Sequence, residues 1–220
     1  MATFRNYTLG DPVDFFTIFT DFTAYATTDW VITTTEAGAG SAAEILLSSE
    51  PGGVLQITND AADNDADFFQ WAGGTGAVVE PFLFQTGKAL RFATRLKLSD
   101  ATESDLIAGL VKTDTTPLDA TDGIFFIKAD GDNTIQLKVV KDSTATTVDV
   151  AEMVDATYIA LEFVYDGNIL TVFADGVKVA SPALTNAPDD EQLALTFGAV
   201  NGEAAAKVLS VDYIGATGQR

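Results

Sequence analysis

Leu90-Arg91-Phe92-Ala93-Thr94-Arg95-Leu96-Lys97-Leu98 is the stretch that decides the fold class. Successive Cβ atoms of a strand point to opposite faces, so Leu90, Phe92, Thr94, Leu96 and Leu98 share one face while Arg91, Ala93, Arg95 and Lys97 share the other. A period of two held along the whole stretch predicts a half-buried strand, apolar on one side and carrying three cations on the other.

The same period continues downstream. Ile135, Leu137 and Val139 alternate with Gln136 and Lys138, and Ile159, Leu161, Phe163 and Tyr165 alternate with Ala160, Glu162 and Val164. Between such runs stand Asp166-Gly167, Asp175-Gly176, Asn201-Gly202 and Asp130-Gly131-Asp132-Asn133. Asp-Gly and Asn-Gly supply the positive φ of type I′ hairpin turns, so neighbouring runs are expected to pair antiparallel, with a meander over 158–180. Upstream, strand-like runs occupy 30–34, 43–47, 53–58, 67–71 and 81–85. One stretch differs: Phe15, Ile18, Phe19 and Phe22 stand at helical spacing after Asp14, which predicts a short helix or an aromatic arm. The expected fold is all-β, an antiparallel jelly-roll sandwich with at most one short helix. Residues 1–29 are read as an N-terminal arm or first edge segment, and 30–220 as the sandwich domain.

Composition supports a packed domain and removes several functions. Of 220 residues, 47% are hydrophobic and 15 are Phe, enough for a two-layer core that buries roughly 70% of the unfolded chain's surface. The net charge of -20 repels phosphate backbones and anionic lipid, so neither nucleic acid nor membrane is an expected partner. Up to Lys88 the only other basic residue is Arg5, which makes the first third the acidic one. Histidine and cysteine are absent, and with them the commonest general base, the commonest transition-metal ligand and any thiolate. The opening Met-Ala-Thr-Phe-Arg-Asn lacks a basic segment followed by an apolar one, and no run approaches the ~20 apolar residues of a membrane span. The expectation is a soluble chain made in the cytosol.

Four constellations are candidates for chemistry. Asp60, Asp63, Asp65 and Asp67, within the run from Asn59 to Asp67, offer hard oxygen ligands for Ca²⁺. The run opens like a D-x-[DN]-x-[DN] loop, then has Phe68 where Gly is needed and Gly74 where Glu is needed, so its plainer reading is a solvated loop. Asp130-Gly131-Asp132-Asn133 is explained by turn chemistry alone. Glycoside hydrolysis needs two carboxylates about 5 to 5.5 Å apart, commonly spaced E-x-D-x-x-E on one strand. That spacing does not occur: Glu162 and Asp166, Glu152 and Asp155, and the run Asp189-Asp190-Glu191 all miss it, so no enzyme and no catalytic residue is assigned. Finally, Phe15, Phe16, Phe19 and Phe22, with later aromatics such as Phe68 and Phe69, either fill the core or contact a partner.

Several stretches together resemble a known group. These are Phe19-Thr20-Asp21-Phe22 with Asp29-Trp30-Val31, Gly53 to Asn59 running into Asp63 to Phe68, Asp122-Gly123-Ile124-Phe125-Phe126, and Asn201 to Lys207 with Val211-Asp212-Tyr213-Ile214. They are similar to the concanavalin A-like, LamG-like jelly rolls among virion proteins of tailed phages. The resemblance implies a capsid decoration or cement protein, a homotrimer bound to the major capsid protein on the particle exterior, made in the host cytoplasm and free of cofactors. The arm with Phe15, Phe16, Phe19 and Phe22 is then the expected contact. Sugar-binding relatives share the jelly roll, so a lectin-like module holding a glycan, with or without calcium, stands as the alternative.

Overall fold

The computed structural model describes residues 14–47 and 50–220. Two antiparallel sheets face each other. The first runs, in spatial order, β14 (Val177–Ala180), β13 (Leu170–Ala174), β12 (Ile159–Tyr165), β7 (Leu90–Leu98), β16 (Val208–Gln219), β4 (Leu55–Thr58) and β3 (Ala43–Leu46), with β1 (Phe15–Thr20) also paired to β16. The second runs β11 (Thr144–Glu152), β10 (Thr134–Lys141), β9 (Gly123–Lys128), β8 (Ser104–Val111), β15 (Gln192–Asn201), β5 (Ala66–Trp71) and β2 (Trp30–Thr35), with β6 (Phe82–Leu83) also paired to β15. Apart from strands, the described residues form only two short 3₁₀ turns, Thr27–Asp29 and Pro117–Asp119. This is the all-β jelly-roll sandwich that the alternation predicts.

β7 lies near the middle of its sheet, between β12 and β16. Leu90, Phe92, Leu96 and Leu98 are buried between the sheets, and Thr94 is buried with them because its hydroxyl donates to the Tyr213 carbonyl at 2.9 Å. Facing pairs set the register: Phe163 stands opposite Phe92, their rings stacked at 5.4 Å. Phe126, from the other sheet, sits 6.1 Å from each of these two rings and so joins the layers. The second sheet is covered on both faces. Phe68, Ile107, Val111, Phe125, Val140 and Val200 form a separate outward cluster, against which Leu118 and Ala120 of the loop after β8 pack. Double burial explains why β8 and β15 read as continuous apolar runs rather than alternating ones.

Two expectations are corrected. The helical spacing of Phe15, Ile18, Phe19 and Phe22 is not a helix: β1 pairs antiparallel with β16 from Phe15 opposite Gln219 to Thr20 opposite Ile214. Phe16 and Ile18 pack on the core while Thr17 and Phe19 face out, and the pairing satisfies a stretch of β16 backbone that would otherwise be an open edge. The rest of the expected arm, residues 1–13, lies outside the described residues. Asn201-Gly202 is not a hairpin turn, since β15 belongs to one sheet and β16 to the other, and the chain crosses between layers there. Asp175-Gly176 has the expected geometry with φ of 48° and 77°. A second turn of this kind, Asp142-Ser143 with φ of 49° and 64°, lacks the glycine that would have advertised it.

Phe126→Ala is expected to lower the unfolding free energy by about 3–5 kcal/mol, and Phe19→Ala to change it by no more than about 0.5 kcal/mol. Urea unfolding measures both.

Candidate functional site

The sheets leave an open cleft of about 410 Å³ at one end of the sandwich. Its walls come from both layers: Tyr165 ends β12, Lys141 ends β10, Phe84 and Thr86 follow β6, and residues 184–189 precede β15. Phe84 and Tyr165 lie buried beneath the cleft, their rings 4.2 Å apart and inclined by 32°. The Tyr165 hydroxyl donates to the Gly167 carbonyl at 2.8 Å, and the same carbonyl accepts the Gly87 N–H at 2.7 Å. This oxygen ties the β12–β13 turn to the segment after β6. Gly167 is required there twice over, by a φ of +101° and because a Cβ would meet Gly87 backbone at 3.0 Å. The neighbouring Asp166 carboxylate accepts the N–H groups of Ile169 and Asn168 at 2.8 and 2.9 Å, which hold its pKa below the ordinary range and fix the loop that presents Asn168.

The rim is polar. Asn168, Thr86 and Thr185 are exposed, and the Lys141 ammonium bridges Asp189 and Asp190, at 3.1 Å from the latter. The hydrogen bonds to Asp189 and Asp190 push the Lys141 pKa up, and the bond from Lys141 lowers that of Asp189. Both groups are therefore charged at neutral pH. The arrangement offers hydroxyl and amide groups and a fixed ion pair beside the half-buried Leu184, a combination suited to a ligand with many hydroxyls.

A second surface lies on the outward face of the first sheet. Here the cations of β7 are paired with neighbours: Arg91 with Glu162 at 2.8 Å and Arg95 with Asp212 at 2.6 Å. Arg95 and Lys97 lie over the Tyr158 ring at 4.2 and 4.5 Å, and Phe19 lies 6.1 Å from Tyr213.

The structure divides the sequence candidates. Among the aromatics, Phe22 is 1% exposed and Phe19 60%; Phe15 and Phe16 are intermediate, Phe16 stacked on Phe82 at 5.1 Å. Phe22 therefore belongs to the core, and Phe19 is the one of the four that stands clear. Phe68 and Phe69 point to opposite faces and are both buried, one in each apolar cluster. Of the acidic run, Asp63 is exposed, Asp60 lies against the loop at Gly40, and Asp65 and Asp67 turn inward and are buried. Among the described residues no three acidic side chains are disposed to hold a metal. Asp132 is used by its turn, accepting the Thr134 N–H and hydroxyl at 2.9 Å. Lys141 and Asn168 were not legible as site residues, and Phe84 was legible only as one of the later aromatics, which the structure buries. Asp166-Gly167-Asn168 reads only as a turn, and nothing in a linear sequence brings it beside 84–86 and 184–189.

No family model and no curated protein matches this chain. Solved structures do match in fold. The potassium-bound carbohydrate recognition domain of Emp46p has a TM-score of 0.58 at 10% identity, covering 89% of this chain and 93% of that one. An endo-1,3-β-glucanase from Streptomyces sioyaensis gives 0.60 at 14%, covering 94% and 98%. A carbohydrate esterase of the Shiga toxin-encoding bacteriophage phi24B gives 0.51 at 16%, covering 86% and 89%. The fold is thus a jelly roll shared by recognition domains and enzymes alike.

Gly167→Ala is expected to cost about 1–3 kcal/mol from backbone strain and contact with Gly87, and more than Gly176→Ala, where φ is also positive but the space is open. Chemical denaturation of the two variants gives the comparison.

Proposed function

We propose that the chain is a carbohydrate-binding module whose end cleft receives a glycan residue and performs no chemistry on it. The observation that carries this reading is the cleft itself, with its polar rim of Asn168, Thr86, Thr185 and the Lys141–Asp189 pair. Amide, hydroxyl and charged groups exchange hydrogen bonds with the hydroxyls of a sugar, and the half-buried Leu184 gives the cleft some apolar surface. A carbohydrate recognition domain and carbohydrate-active enzymes among the fold neighbours support the ligand class. A binding role is favoured because Lys141 and Asp189 hold each other in the charged state, which leaves neither poised as a general acid near neutral pH.

Retention on an immobilised panel of neutral and acidic oligosaccharides, followed by calorimetry, tests this. Asn168→Ala and Lys141→Ala are each expected to weaken binding about tenfold or more with the fold intact. Unchanged affinity in both variants would remove the cleft from the account.

A second reading, decoration of a phage capsid as a homotrimer, draws on one observation: Phe19 stands exposed beside Tyr213 on the strand that borders β16. A large ring so placed suits an interface. Light scattering of the intact protein is then expected to give a trimer mass that Phe19→Ser reduces, whereas a monomer at all concentrations would count against self-association through this surface.

A further inference from the structure

The end of the sandwich opposite the cleft holds buried oxygen atoms that nothing among the described residues satisfies. β15 runs from Gln192 beside β6 to Asn201, and its last residues pair with the start of β5. Along β5, Phe69 points into the main core while Ala66 and Phe68 join the outward cluster, so Asp67, and Asp65 just before the strand, face inward. Asn201 donates its backbone N–H to the Asp65 carbonyl at 2.9 Å, and Ala199 two residues earlier lies in the main core. Asn201 therefore faces the same interior as the two aspartates.

All three side chains are enclosed: Asp65 and Asp67 are 1% exposed and Asn201 0%. Each is half satisfied. Asp65 Oδ1 accepts the Ala37 N–H and Asp67 Oδ1 the Thr34 hydroxyl, both at 2.5 Å, while Asn201 Nδ2 donates to the carbonyls of Asp60 and Ala62 at 2.6 and 3.1 Å. Among the described residues Asp65 Oδ2, Asp67 Oδ2 and Asn201 Oδ1 have no partner though buried, nor does the Tyr25 hydroxyl. The two carbonyls on Nδ2 fix the amide, since a flip would set its oxygen against both of them.

The carboxylate and amide oxygens among these atoms can only accept, and their surroundings add negative charge. Among the described residues no ion pair reaches Asp65 or Asp67. Burial, then the charges of Glu44, Glu36 and Asp65, push the Asp67 carboxyl up to about 6 against the pull of the Thr34 hydroxyl. A buried carboxylate without a counter-charge is strongly destabilising, and water bridging these oxygens would donate hydrogen bonds but no charge. A hard cation supplies both at once. Ca²⁺ accepts irregular sets of carboxylate, amide and water oxygens, whereas Mg²⁺ demands near-ideal octahedral geometry.

We propose that Asp65, Asp67 and Asn201 bind Ca²⁺ inside the acidic end of the sandwich, where it fastens the start of β5 to the end of β15. The third protein ligand is an amide oxygen rather than a carboxylate, in keeping with the absence of any cluster of three acidic ligands among the described residues. Asp63, which the sequence groups with Asp65 and Asp67, is exposed and takes no part. This proposal does not rest on the carbohydrate reading, and the cleft lies at the other end of the strands.

The full chain, stripped with EDTA and dialysed at pH 7, is titrated with CaCl₂ while its melting temperature is followed, with KCl at matched ionic strength as control. Saturating Ca²⁺ is expected to raise Tm by about 5 to 10 °C over the KCl control, with one ion retained per chain by elemental analysis. Asp67→Asn and Asp65→Asn are expected to abolish that shift without lowering the Tm of the metal-free protein, because each also removes a buried charge. Asp63→Asn is expected to keep the shift. No Ca²⁺-dependent shift, an equal rise with KCl, or a full shift in Asp67→Asn would each overturn the site.

Discussion

Phe126 between Phe92 and Phe163 is the contact on which the rest depends, because it is where side chains of one sheet meet those of the other at the centre of the layers. Each sheet is hydrophobic inside and must cover that face; neither is stable alone. Towards one side the apolar interior continues through Phe69, stacked on Phe197 at 4.8 Å, with Trp30 and Phe22 edge-on to Phe197. Phe22 lies on the connection from β1 to β2 and so anchors the chain where it passes from the first sheet to the second. The cleft and the buried oxygen cluster are what remain at the two ends, where the strands stop and loops of both layers meet.

Charge is arranged around this interior in a consistent way. With 32 acidic residues against 12 basic ones, carboxylates must largely be held by backbone N–H groups, water or ions. Asp155 accepts the Ala101 N–H at 2.7 Å and Asp105 that of Asp130 at 2.9 Å, while the few lysines are shared, Lys207 between Asp100 and Glu203 and Lys141 between Asp189 and Asp190. The inward pair Asp65 and Asp67 stands apart from this economy, since it lies in the third of the chain that has almost no basic residues.

The architecture was legible wherever a strand had one wet face. β7, β10 and β12 could be read directly from their alternation, and the Asp-Gly turns placed two hairpins. Legibility failed where a second layer changed the rule: β15 is covered on both sides and shows no alternation, and β1 presents a helical spacing because Phe22 belongs to the crossing rather than to the strand. The acidic run was visible as a group of ligands, but only pairing with β15 shows that Asp65 and Asp67 turn inward beside Asn201, which is more than 130 residues away in sequence. The cleft was not legible as a unit: Phe84 and Asp189 stood among separate aromatic and acidic candidates, and Lys141, Asn168 and Thr185 belong to segments with no motif of their own.

The most direct test of the central claim is a map of backbone amide chemical shifts by ¹⁵N-correlated NMR as a retained oligosaccharide is titrated into the protein. A glycan seated in the cleft will move amides of 84–88, 166–169 and 184–190 together and leave those around Arg91, Arg95 and Tyr158 in place. Shifts that gather on the outward face of the first sheet instead, or no shifts at saturating sugar, would contradict it.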